Sequence, residues 1–303
     1  MALSKRKKIW LIVISAILIT FIILILVANS ILSNMAEDMA REQLAAMDST
    51  SYVIDFEKIR VNIFSGSVKI IGITVKPDSA ALEEVKRSRL AKPLVEVSIS
   101  KIRIGSVDIL KALKGKEFNI GSIRVDDPDI TVYGPGGLFS GEKEKTSADG
   151  GLSVDSMLGT AVIQAELGYF ELENAHIRYI DASRDKVVLE TKQLYIRLDD
   201  ISLHHPDGDT TSNVLDIDDI NLSLLSHMMD LPGNLYNLQT GKLEIGYKDR
   251  NINLDSLELI PAYSKERFGH VVGKQTDRFA VSVDHINISG IEFDSLLNKK
   301  III

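Results

Sequence analysis

Apolar and polar residues alternate along much of this chain, and the alternation is interrupted by a recurring shift. The first clear instance contains Val97, Ile99, Ile102, Ile104, Val107 and Ile109. A period of two is typical of a β-strand with one apolar face, but a three-residue step would move the pattern to the other face. A β-bulge or tight bend at each step would restore the face and coil the strand. The pattern therefore predicts long, twisted antiparallel strands.

The same pattern recurs four more times, always with steps of two and three. The later apolar positions are Ile196, Leu198, Ile201, Leu203, Leu215, Ile217, Ile220, Leu222, Ile252, Leu254, Leu257, Leu259, Val281, Val283, Ile286, Ile288, Ile291 and Phe293. Strands are also predicted before and after the turn at Ser65-Gly66. Short helical segments are expected at 80–90 (helix or surface loop), 109–115 and 261–275. Together these features predict one continuous β unit with few helices.

Residues 102–116 resemble residues 286–300 when the chain is shifted by 184 positions. The first copy continues into two further apolar strands, whereas the second reaches Ile303 where its next strand should begin. An unfinished apolar strand at a sheet edge invites pairing with another chain. We therefore expect either that the chain is a shortened form of a longer protein or that a partner completes the edge.

The N-terminus carries a predicted membrane anchor. Ile9–Ala28 holds twenty residues without charge, which span roughly 30 Å as a helix. Basic residues before it and acidic residues after it place the N-terminus in the cytoplasm. A cleaved signal peptide is the alternative, but its apolar region is usually shorter. The anchor residues singled out are Lys5, Arg6, Lys7, Lys8, Trp10, Ile14, Phe21 and Leu26.

These features divide the chain into three parts. Residues 1–32 form a basic tail and a transmembrane helix, and residues 33–50, rich in helix formers, form a helical stalk. Residues 51–303 form the β domain, with a mobile Gly- and Ser-rich loop at 134–151. The domain is expected outside the inner bilayer of a bacterial cell.

Charge and motif content argue against catalysis and against nucleic-acid binding. The formal net charge is −7, and no basic face is apparent in the sequence. The chain has no cysteine, which excludes disulfides and thiolate metal sites. His204-His205, before Pro206-Asp207-Gly208, is either a metal site or, more simply, an exposed turn. We expect no cofactor, no metal and no enzymatic activity.

The overall plan resembles the AsmA-like family of Gram-negative envelope proteins, including its DUF748-type relatives. The resemblance lies in the membrane helix followed by 56–78, in the segment 95–132 and in "YFELENAHIRYID" at 169–181. Leu110, Leu113, Pro128, Ile130 and Val132 carry the family's "LL" element and its "P-x-I-x-V" ending. The resemblance implies a long twisted sheet shaped as a trough with an apolar inside. It also implies a role in envelope biogenesis in which phospholipid is carried between membranes.

Two architectures remain open at this level. In one, the apolar residues line an open groove for acyl chains; the candidates are Val97, Ile99, Ile102, Ile104, Val107, Ile109, Ile196, Leu198, Ile220, Leu222, Val281, Val283, Ile286, Ile288, Ile291 and Phe293. In the other, two apolar faces cover each other in a closed sandwich, and the protein is a non-catalytic scaffold that binds envelope proteins through a sheet edge. Alternation is the same in both.

Overall fold

A computed structural model describes residues 27, 29–42, 44, 52–87, 93–107, 117–134, 164–204 and 214–293. The described part is mainly β, as predicted, and its fifteen strands belong to one sheet. The strands are β1 Tyr52–Asp55, β2 Lys58–Asn62, β3 Ser67–Pro77, β4 Leu94–Val107, β5 Glu117–Gly134, β6 Gln164–Asp181, β7 Lys186–His204, β8 Val214–Leu224, β9 Ser226–Asp230, β10 Tyr236–Thr240, β11 Leu243–Gly246, β12 Asn251–Leu254, β13 Leu257–Pro261, β14 Val281–Val283 and β15 Ile286–Ser289.

The sheet is a row of ten ribbons, of which β3 to β7 are continuous strands and the other five are each split into two strands. The main order is β1-β3-β4-β5-β6-β7-β8-β11-β12-β15, and β2 also pairs with β3. The long strand β7 pairs along 195–204 with β8 and along 189–192 with β9. From β9 a second branch continues through β10 and β13 to β14. Each chain segment beyond β7 thus contributes one strand to each branch.

Left-handed residues lie at some of the positions where the apolar pattern shifts. Ser106 and Asp200 have positive φ of 55° and 49°, and they lie at the shifts after Ile104 and Leu198. A second line of positive φ values crosses β3, β5, β6 and β7 at Gly72, Asp127, Asn174 and Gln193, and we call it the line of bends. Asp and Asn tolerate the left-handed region better than other residues with a side chain. Left-handed residues therefore lie at two of the predicted shifts, the one after Ile104 and the one after Leu198.

The prediction of a wholly antiparallel sheet is wrong at one place. β5 and β6 run parallel, with Ile120 beside Leu167 and Ile130 beside Ile177. A parallel pair requires a crossover connection of about a dozen residues or more. The 29 residues between β5 and β6, 135–163, provide that length. All the other paired strands are antiparallel among the described residues, so the sheet is mixed.

Three α-helices of at least eight residues accompany the sheet among the residues that the structure describes. Helix α1 covers 29–42 and also includes Val27; α2 is Ser79–Lys86 and α3 is Lys265–Val272. The short helix predicted within 261–275 is confirmed as α3, where the Ser264 hydroxyl accepts from the Arg267 amide and Gly273 ends the helix at φ 72°. The segment predicted as helix or loop at 80–90 overlaps α2 at residues 80–86.

Helix α1 coincides with much of the predicted stalk and lies along the β1–β2 edge of the sheet. The Ser33 hydroxyl accepts from the Val61 amide at 2.8 Å, and the Asn29 side-chain oxygen accepts from the Ile63 amide at 3.0 Å. Near the other end of the helix, Arg41 donates to the Phe56 carbonyl at 3.2 Å. Polar side chains of α1 thus satisfy backbone groups that an edge strand leaves unpaired.

Three predicted segments lie outside the described residues: 109–115, the loop at 134–151 except Gly134, and the anchor Ile9–Ala28 except Val27. Within the described ranges, none of the helices combines the length and the hydrophobicity needed to cross a bilayer.

Candidate functional site: the apolar face of the sheet

One face of the sheet carries an unbroken row of aliphatic residues from edge to edge. Following the register from strand to strand, the row contains Ile59, Ile70, Ile102, Val125, Leu172, Ile196, Leu222, Ile245, Ile252 and Ile288. Residues directly opposite each other in neighbouring strands share a face. We call the surface that carries this row the apolar face.

Further rows run parallel to the first. One comprises Val61, Val68, Ile104, Ile123, Phe170, Leu198 and Ile220, and another comprises Val107, Ile120, Leu167, Ile201 and Ile217. Another row lies on the far side of the line of bends. It comprises Val95, Val132, Tyr179, Leu189, Met229, Leu238, Leu259 and Val281. The apolar face is therefore several residues wide.

The bends keep the apolar residues together. Leu172 and Ile177 flank the left-handed residue Asn174, and both pack against the buried cluster of Ala175, Leu194 and Leu224. Strict alternation would place Leu172 and Ile177 on opposite faces. The left-handed residue therefore has the effect predicted from the spacing, which is to return the strand to the same face.

The apolar face is only partly covered by protein. In the row of ten, Ile59 and Val125 are buried, Ile288 is 46% exposed, and the other seven are half-buried. A face packed against a second sheet would bury nearly all of them, because interiors are close-packed. The described sheet is thus a single layer along most of this row.

The predicted groove residues follow this pattern. Val97, Ile99, Ile102, Ile104 and Val107 on β4 and Ile196, Leu198, Ile220 and Leu222 on β7 and β8 are all half-buried. Toward the far edge, Val281 and Ile288 are exposed, whereas Val283, Ile286, Ile291 and Phe293 are half-buried. Ile109 lies outside the described residues, as do the anchor residues from Lys5 to Leu26.

The opposite face carries charge, much of it in ion pairs. Asp126 accepts from Arg103 at 2.6 Å and from Lys101 at 3.4 Å. Burial disfavours the charged carboxylate, but the hydrogen bonds from these two cations outweigh it and lower the pKa of Asp126. Glu171 lies between Arg124 at 2.5 Å and Arg197 at 3.1 Å. This surface is called the polar face below.

The apolar face has a polar interruption that the residue pattern did not predict. Thr191, His227 and Thr240 follow one another across β7, β9 and β10, and the Thr191 hydroxyl lies 2.7 Å from Nδ1 of His227. The Thr240 hydroxyl is buried without a partner among the described residues. Burial lowers the pKa of His227, so the ring is neutral near pH 7. Only the register brings these residues together.

The remaining sequence motifs do not form a second site. His204 is the last residue of β7, and His205 and the turn residues that follow are not among the described residues. Asp181, the last residue of the motif at 169–181, is fully buried and accepts hydrogen bonds from Ser183 and Arg184 in the β6–β7 turn. Within the described ranges, no group of His, Asp and Glu side chains is arranged to hold a metal ion.

No family model and no curated protein matches the sequence.

Proposed function

We propose that this protein is a non-enzymatic, membrane-anchored carrier of acyl-chain lipid, in which hydrocarbon lies along the apolar face as in an open groove. The observation that carries the proposal is the row of ten aliphatic residues on a single-layer sheet. With strands about 4.8 Å apart, the nine steps of that row extend roughly 43 Å, more than the thickness of a bilayer's hydrocarbon core.

The physical chemistry of the face suits such a ligand. Acyl chains need a continuous aliphatic surface and gain about 0.8 kcal/mol for each buried methylene. Half-buried Ile, Val and Leu offer that gain to a ligand because protein does not already cover them. A surface of this kind has no hydrogen-bonding specificity along the main row, which favours a mobile chain over a fixed small molecule.

The location belongs to the same proposal. The anchor of residues 9–28 would hold the protein in the inner membrane of a Gram-negative cell, with a single pass and the β domain in the periplasm. This arrangement and the carrier role are those implied by the resemblance to the AsmA-like family, and envelope biogenesis is the corresponding process.

The test uses the absence of cysteine, which makes any introduced cysteine a unique attachment point. Val97→Cys places a fluorophore on the apolar face, and Ser98→Cys, one residue along β4, places it on the other. Full-length protein is reconstituted into vesicles whose phospholipid carries a quencher on the acyl chain. We expect quenching at 97 and little at 98.

Equal quenching at the two positions, or none at either, would reject the carrier proposal. Position 97 is informative because it lies far from the predicted membrane. It is on the β1 side of the line of bends, and β1 lies beside Arg41, about 18 Å along α1 from Asn29. Mass spectrometry of lipid retained after mild detergent extraction provides an independent check.

A second candidate function has one observation in its favour. At the β14–β15 edge, Val281 and Ile288 are both 46% exposed, and the outer side of these strands has no paired strand among the described residues. Such an edge can accept a strand from an envelope protein. Recovery of a protein partner with no retained lipid would favour this scaffold role.

A further inference from the structure

A cavity of about 350 Å³ lies between α1 and the polar face of β2 and β3. Its charged lining residues are Lys58, Arg60 and Lys69, and no carboxylate is among the described residues that line it. Asn34, Asn62 and Ser67 add neutral polar groups to the lining. The volume is at the lower end of the range of about 300–1,000 Å³ for small-molecule sites. We call this cavity the basic pocket.

The cations of the basic pocket have no counter-charge within the described part of the chain. Arg60 and Lys69 are direct partners in the β2–β3 register, a placement that is destabilising for like charges. Neither they nor Lys58 form an ion pair with any residue that the structure describes. The next two cations along the same row of the register, Arg103 and Arg124, are paired with Asp126 and Glu171. Among these described cations, those at the α1 end of the row carry unbalanced positive charge.

The position of the basic pocket relates it to a membrane. Asn29 and Asn34 belong to the helix that includes Val27, the penultimate residue of the predicted anchor. At about 1.5 Å per residue, Asn34 is about 9 Å beyond Ala28 along the helix axis. If the anchor spans the bilayer, the basic pocket opens at the depth of the lipid headgroups on that side.

From these observations we infer that the basic pocket binds the phosphate group of an anionic phospholipid. Arginine matches phosphate with two parallel hydrogen bonds, and lysine adds a compact charge. The inference deepens the proposed function and rests on its membrane anchor, because the pocket would receive the headgroup at the membrane end of the sheet. The acyl chains would then pass around the sheet edge to the apolar face, where Ile70 is the first half-buried residue of the row beyond buried Ile59.

The experiment compares two variants with the same charge change on the same strand. Lys69→Glu places a carboxylate opposite Arg60, whereas Lys76→Glu alters an exposed cation of β3 that does not line the basic pocket. Full-length protein in neutral detergent is titrated with phosphatidylglycerol, and native mass spectrometry measures the bound fraction. We expect Lys69→Glu to weaken binding at least tenfold and Lys76→Glu to change it less than twofold.

Folding is checked in the same samples. Lys69→Glu replaces a repulsive pair with an attractive one, so its unfolding temperature should not fall. Unchanged phosphatidylglycerol binding in Lys69→Glu would overturn the inference, and so would equally tight binding of phosphatidylcholine. Inorganic phosphate is the third probe: if it binds with the same dependence on Lys69 and displaces the lipid, the pocket is a site for free phosphate and the lipid assignment is wrong.

Failure of the headgroup inference is distinguishable from failure of the carrier proposal. Loss of the headgroup site would leave acyl-chain quenching at position 97 in place. Conversely, phosphatidylglycerol binding that depends on Lys69, without quenching at position 97, would retain the basic pocket and reject transport along the apolar face.

Discussion

At the β1–β2 edge of the sheet, α1 supplies side-chain partners to the strand backbone, whereas at the β14–β15 edge no described element lies alongside. The two edges end the same row of aliphatic residues, with Ile59 at one end and Ile288 at the other. Ile59 is 7% exposed and Ile288 is 46% exposed. Free strand edges promote association with other chains, and covering one with a helix is a common protection.

This difference shows that the two edges of the sheet are not equivalent. Its protected edge carries the basic pocket and adjoins the predicted membrane anchor, and its unprotected edge lies nine strand spacings away. In a carrier, the first would be the end that receives lipid and the second the end that delivers it or meets a partner. Three predictions test how far the contrast extends.

The largest effect is expected from equal truncations at the two ends of the row. Ile59→Ala removes buried side-chain volume and should lower the free energy of unfolding by about 3 kcal/mol. Ile288→Ala removes the same atoms from a half-exposed site and should cost about 1 kcal/mol or less. Chemical denaturation of both variants measures the difference, and equal costs would mean that the β14–β15 edge is covered in solution.

A smaller effect is expected where α1 meets the edge. Ser33→Ala removes the acceptor of the Val61 amide and should destabilise the protein by about 1 kcal/mol. Hydrogen exchange at Val61 should become faster, while exchange in β7 is unchanged. Ser30→Ala, on the same helix with no such bond, is the control and should stay within about 0.5 kcal/mol. Unaltered exchange at Val61 would contradict the proposed edge protection.

The smallest effect is a loss of folding stability at acidic pH. It should appear first in the branch of the sheet that leads to β14. His227 on β9 has its pKa lowered by burial below the ordinary value of 6.5, so the folded protein holds it neutral. As pH falls through 6.5, the unfolded chain binds a proton that the folded chain does not, and stability decreases. Stability measured from pH 7.5 to 5.5 should therefore decline.

His227→Gln provides the control for this prediction. Glutamine keeps a polar group beside Thr191 but does not titrate, so the decline over this range should be smaller in the variant. The pKa of Asp126 is lowered, which adds stability that is lost only at more acidic pH. An unchanged decline in His227→Gln would place the acid-sensitive group elsewhere.

Much of the fold was predictable from apolar spacing. The steps after Ile104 and Leu198 predicted bends, and left-handed residues are found there at Ser106 and Asp200. The parallel pairing of β5 with β6 was not predictable. Alternation specifies which face of a strand is apolar, but it carries no information on the direction of the neighbouring strand. That direction depends on the long connection of residues 135–163.

The candidate site was predicted only in outline. The β4, β7 and β8 residues proposed for the groove do lie on one apolar face, because period and bends are local properties. The basic pocket was not predicted, since Arg60 and Lys69 read as ordinary polar positions of alternating strands. The interruption at Thr191 and His227 was missed for the same reason. Charges and hydroxyls become a site only when strands far apart in the chain are placed in register.

The order of residues alone established the β class, the apolar face of each strand, the positions of the three-residue steps and the apolar segment at the N-terminus. These follow from sterics and periodicity over a few neighbouring residues. Whether that face is covered, which edge is protected and which cations lack partners depend on contacts between distant segments. Because β3 to β8 pair side by side in a single layer, the aliphatic row stays only half-buried. The contacts of α1 with β1 and β2 protect one edge of that layer.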